Sequence, residues 1–164
     1  MSESVNEVIL PLELLVTFAG VFLAFMLDRL IDWRRDEKIK KVLLRNIAHE
    51  LNRLKDDLTG EEVKRLDHDV YDSAVASGRL NFLPPEQLMK ITDVYAKIEN
   101  ASIRAMSVII TKEAFDQSKS VHSQEEYSSL KNLDNAFNIT KQEAIKSIDE
   151  ILKEPWLSRY AQKS

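Results

Sequence analysis

His68 stands in the run Asp67-His68-Asp69, with Asp72 four residues further on. On a helix that spacing puts the imidazole and the Asp72 carboxylate on one face, the arrangement from which a metal pair is built. Two ligands do not close a site, so the segment reads first as a solvated acidic face near a helix start. His49-Glu50 lies beside an apolar seam, and His122 lies in a loop before a helix cap. His49 has no partner three or four residues away of the sort a general base or a metal ligand requires. Ser73, Ser77 and Ser107 have no neighbouring acid–base arrangement to activate them. The chain has no cysteine, which excludes thiolate chemistry, and only three glycines, too few for a phosphate-cradling loop. No catalytic residue, metal or cofactor is assigned.

A second set of residues has physical consequences without catalysis. Residues 1–27 contain Glu3, Glu7 and Glu13 and no Lys or Arg, whereas Arg34, Arg35, Lys38, Lys40, Lys41 and Arg45 cluster against only Asp36 and Glu37. Between them Val8–Leu27 runs for twenty residues with Glu13 as its only formal charge, about 30 Å of helix at 1.5 Å per residue. Its thirteen Leu, Ile, Val and Phe contribute about −4 to −8 kcal/mol to membrane insertion, against roughly +3 for a centrally placed acid. Insertion wins. A cleaved leader fits less well, because no basic n-region precedes the stretch and nothing like A-x-A follows it. By the positive-inside rule the amino terminus is expected outside and the rest in the cytoplasm, a plasma (inner) membrane location with Trp33 as interfacial anchor.

Within this span Glu13, Thr17, Gly20, Ala24 and Asp28 fall inside about 80° of helical arc, with the large residues elsewhere. Gly20-x-x-x-Ala24 suits close helix–helix approach, and Glu13 would sit in that contact or against water. Glu13 could also simply favour a helix amino terminus beginning at Pro11. The basic cluster has an equally simple reading as a topology marker, with a specific anionic ligand as the sharper one.

The elements that carry these residues are all helical. No stop falls between Leu12 and Leu58, where the only glycine is Gly20, and Leu44, Ile47, Leu51, Leu54 and Leu58 repeat at steps of three and four, a narrow apolar seam that could pack on the chain's other stripes or, as an oligomer seam, between subunits. One helix is expected from Pro11 to Leu58, closed by Thr59 and Gly60. Three more should follow: Glu61–Ser77, with Val63, Leu66, Val70 and Ala74; a helix restarting at Pro84-Pro85-Glu86 after the connection Arg79–Leu83 and running to Ser118; and one opened by the capping box Ser123-Gln124-Glu125-Glu126 and ended by Pro155. No segment alternates with period two, so no sheet is expected. The organisation is an extracytoplasmic tail at 1–10, a transmembrane helix at 11–33, a coiled-coil-like juxtamembrane helix at 34–58, an antiparallel cytoplasmic bundle at 61–154 and an aromatic tail at 155–164. With Trp156, Leu157 and Tyr160, that tail is expected to fold back on the bundle rather than lie on the inner leaflet or dock a partner.

Phe18 to Arg35, with Asp28-Arg29 and then Arg34-Arg35, followed by Ser77-Gly78-Arg79-Leu80 and Leu83-Pro84-Pro85-Glu86 before Tyr95, resembles a loose class of small prokaryotic single-span membrane proteins of unknown function. The resemblance implies a membrane-anchored helical module and brings no catalytic residue with it. The residues leave two functions: an oligomeric anchor whose helical domain docks or regulates a cytoplasmic or membrane protein, which asks less of them, or a membrane-perturbing or pore-forming effector of the immunity type whose bundle senses a signal and whose Glu13 stripe opens as the subunits rearrange. The lipid bilayer and further copies of the chain are expected partners. A net charge of −4, from 23 basic and 27 acidic residues, argues against bulk nucleic acid.

Overall fold

The computed structural model describes residues 3–60, 66–117 and 124–161, with side chains in those stretches apart from 3–13, 125 and 126. The described chain is entirely helical, without strands: α1 (Glu3–Thr59), α2 (Asp69–Ala76), a 3-10 turn (Arg79–Phe82), α3 (Pro85–Gln117), α4 (Gln124–Leu152) and α5 (Pro155–Ala161). Two compact units divide it, Met1–Ile39 and Lys40–Ser164.

In the first unit the structure is the amino-terminal part of α1. The helix begins at Glu3, upstream of Pro11, a correction to the expected start. Proline's fixed φ is itself helical, although inside a helix it removes the bond to the carbonyl four residues back and its ring crowds that carbonyl. The stretch is long and apolar enough to cross a membrane, and none of it is buried by the chain. Phe18 is 75% exposed and Phe25 63%.

In the second unit α1 supplies the central helix of a bundle. Leu44, Ile47, Leu51, Leu54 and Leu58 are buried, with Ile91, Val94 and Ile98 of α3 and Ala144, Ile148 and Ile151 of α4 in the same core. Of the two expected uses of the seam, packing within the chain and packing between subunits, the first is seen: the chain's own helices cover it, because α3 and α4 present matching three-four stripes. Gly60 N–H closes α1 on the Asp56 carbonyl at 3.1 Å. α3 and α4 are antiparallel, since Lys97 meets Ser147, Lys112 meets Asp134 and Phe115 meets Tyr127 edge-on. A smaller core of Ala105, Val108 and Phe137, with Leu133, holds the far end of this hairpin.

The expected second helix is shorter, beginning at Asp69 with His68 as its N-cap. Val63 and the capping serine, Ser123, lie outside the described residues. α2 ends where Gly78 adopts φ +67°, its N–H returning to the Val75 carbonyl at 3.1 Å, the left-handed conformation that glycine adopts without strain. The expected plain connection at Arg79–Leu83 is a 3-10 turn that buries Leu80. Pro155 both ends α4 and opens α5 as its first residue, where the missing N–H has no partner to lose. Leu157 is fully buried in the main core, and Trp156 and Tyr160 pack against it.

Candidate functional site

The most constrained polar group in the bundle is Glu50, a carboxylate on the inward side of α1 between Ile47 and Leu54, only 4% exposed. A charge in that position must be fully hydrogen-bonded or it destabilises the fold by several kcal/mol. It is hydrogen-bonded on both oxygens. Oε1 accepts from Val70 N–H at 2.8 Å, and Oε2 accepts from Tyr71 N–H at 3.1 Å and from the Tyr95 hydroxyl at 2.6 Å. The Arg53 guanidinium stands 4.0 Å from Oε1 and also donates to the Asp67 carbonyl.

These are the bonds an N-cap side chain would make. Helix amino termini leave their first N–H groups unpaired, and a side-chain oxygen at the cap ordinarily accepts from the second or third of them. His68, at the N-cap of α2, makes no such bond. Glu50 does it instead from twenty residues away, and its charge lies at the positive end of the α2 dipole. A short helix that would be marginal alone is thereby clamped to α1 and, through Tyr95, to α3.

Aromatic rings close the clamp. Tyr71 stacks on Tyr95 with centroids 4.0 Å apart and planes 11° from parallel, and His68 meets Tyr95 edge-on at 6.2 Å. Burial, then the hydrogen bond to Glu50 and its charge, push the Tyr95 phenol well above its ordinary range. His68 Nδ1 lies 3.0 Å from Asp72 Oδ2, so the structure does bring this pair together. Nδ1 is a buried atom that makes no hydrogen bond.

Two clefts flank the first turn of α2. One, about 340 Å³, is lined by Arg45, Asn46, His49, Glu50, Arg53, Asp69 and Val70. The other, about 610 Å³, runs from His68, Asp69 and Asp72 along α3. In the smaller cleft Glu50 has both oxygens engaged, and in the larger the Ser107 hydroxyl bonds the Ile103 carbonyl of its own helix. Among the described residues no group of three His, Asp or Glu is placed to hold a metal ion.

No known protein family, curated protein or solved structure matches this chain.

The residues singled out in the sequence occupy different places. Thr17, Gly20, Ala24 and Asp28 are exposed on α1, and a Cβ added at Gly20 would meet nothing; the Glu13 side chain lies outside the described residues, as does His122. Arg34, Arg35, Lys38, Lys41 and Arg45 are exposed and Lys40 half-buried. Sequence reasoning passed over Glu50 as a neighbour of His49. A carboxylate at the inner edge of an apolar three-four seam was the available sign, but its partners are 20, 21 and 45 residues away, beyond any local spacing rule.

Proposed function

We propose that the protein is a single-pass membrane-anchored interaction or regulatory module: a bilayer-spanning segment with the amino terminus outside, further copies associating through the Gly20 face, and a cytoplasmic helical domain that engages another protein. The observation that carries this reading is the bare apolar stretch of α1, whose large side chains from Leu14 to Leu27 are all more than half exposed. A contiguous apolar surface of that size in water is an aggregation site, whereas in hydrocarbon it is the favourable state. Lys and Arg follow the stretch and none precedes it, which supports a cytoplasmic bundle. Gly20 and Ala24 leave room for two backbones to approach.

The rest of the molecule supports an adaptor. Its buried Glu50 carboxylate fixes α2 in place, and the two clefts lie on either side of that helix. Alkaline carbonate extraction of membranes from cells making the full chain tests the anchor. Retention in the pellet, together with release of Phe22→Asp/Phe25→Asp into the supernatant, is expected; release of the unaltered chain overturns the reading.

A further inference from the structure

The face of α3 that α2 covers at Thr92 and Tyr95 continues past the start of α2, and among the described residues no helix lies over it. Tyr71 reaches Thr92 and stacks on Tyr95. One turn on, Glu99, Ser102, Ile103, Met106 and Ile110 lie on the same side of α3. They form the floor of the larger cleft, with Leu66, Asp67, His68, Asp69 and Asp72 as its wall. Ile103 is 58% exposed, Met106 36% and Ile110 59%. Their spacing is i, i+3, i+7, a ridge about 10 Å long over two turns. Side chains so placed on a helix make the half of an interface that a second helix completes.

Charge decides what kind of helix that is. Asp67, Asp69, Asp72 and Glu99 all line this cleft, and among the described residues no Lys or Arg does. Two copies of this surface face to face would oppose acid to acid, which disfavours self-pairing. A helix with Leu or Ile on one side and Lys or Arg flanking it would bury the ridge and meet the carboxylates at once. We infer that the cleft between the start of α2 and the Ile103–Met106–Ile110 ridge of α3 docks a cationic amphipathic helix of a partner protein. This inference rests on the interaction-module reading and names the chemistry of its partner. The cleft and the Glu50 clamp share the first turn of α2, so the clamp fixes one wall of the docking site.

The test uses the full chain in zwitterionic lipid nanodiscs and a fluorescein-labelled peptide of about 18 residues with Leu at i, i+3, i+4 and i+7 and Lys elsewhere. Anisotropy is read against empty nanodiscs. Saturable binding is expected, weakened about tenfold by Ile103→Asp and about tenfold by the pair Asp72→Lys/Glu99→Lys, and falling as salt is raised. The same pattern built from Leu and Glu should not bind. Ile103 and Ile110 are exposed, so Ile103→Asp leaves the core intact, and a circular dichroism melt matching the unaltered chain verifies this. Equal binding of the Glu peptide, or binding indifferent to both variants, overturns the inference. So does absence of peptide binding where Ile103→Asp turns a dimer into a monomer, which would give the cleft to a second copy. Flotation of the same preparation with liposomes reads the membrane anchor separately, so failure of one proposal is distinguishable from failure of the other.

Discussion

Replacing Glu50 tests how the bundle is held together. In Glu50→Ala three donors lose their acceptor: the Val70 and Tyr71 amides and the Tyr95 hydroxyl. A hydrogen bond to a charged group contributes about 1.5–3 kcal/mol. The two amides are only partly buried and regain some of that from water, whereas the Tyr95 hydroxyl is in a buried bond and does not. Allowing for this, the loss is about 3–5 kcal/mol, which for a domain of this size lowers the thermal midpoint by roughly 15 °C. Glu50→Gln keeps the shape and one oxygen but turns an NH₂ group toward donors, and should cost about 2 kcal/mol. The assay is a melt followed at 222 nm, with the near-ultraviolet tyrosine band as a second probe because Tyr71 and Tyr95 stack beside the carboxylate. Amide exchange at Val70 and Tyr71 should accelerate more than exchange at Leu51. A Glu50→Ala melt within about 2 °C of the unaltered chain, with the tyrosine band unchanged, refutes the clamp.

Leu157 is fully buried, so Leu157→Ala should cost about 2–5 kcal/mol in the same melt, and a neutral result would detach α5 from the core. Tyr95 holds its proton more tightly folded than unfolded; its contribution is therefore complete below the ordinary phenol value of about 10 and is lost as pH rises beyond it toward the higher folded value. In a titration read at 295 nm, Tyr95→Phe should abolish the late step that accompanies unfolding. Gly20→Ile should leave the melt of the bundle unchanged, since nothing in the chain opposes a Cβ there, yet should weaken self-association of the span measured by energy transfer in lipid.

Much of this was legible because local spacing and tertiary burial agree. The seam 44-47-51-54-58 is buried along its whole length, and the α3 positions Ile91, Tyr95, Ile98 and Ala105 are buried where a three-four stripe puts them. What the spacing could not tell was the identity of the covering surface. A narrow stripe serves a subunit contact or an intrachain bundle equally well, and only the meeting of three such stripes in one chain decides for the bundle. Proline misled at one position and informed at another. Pro11 lies within a helix rather than at its first turn, while Pro155 ends one helix by beginning the next. The Glu50 clamp stayed hidden because it caps a helix from another helix, and the cap position itself holds a histidine that makes no capping bond. The docking ridge was equally unreadable: the spacing of Ile103, Met106 and Ile110 does not say which face of α3 is covered, and among the described residues α2 begins only at Asp69 and leaves all three exposed.

The membrane anchor is the claim on which the rest depends, and the absence of native cysteine makes it directly measurable. Single cysteines introduced as Ser4→Cys, Phe22→Cys and Ser164→Cys can be challenged with a membrane-impermeant maleimide in intact and then permeabilised cells. Phe22 is 57% exposed in the isolated chain, so only a bilayer would shield its replacement. The account predicts labelling of Ser4→Cys in intact cells, of Ser164→Cys only after permeabilisation, and of Phe22→Cys in neither. Ready labelling of Phe22→Cys by aqueous reagent, or labelling of Ser164→Cys in intact cells, would contradict it.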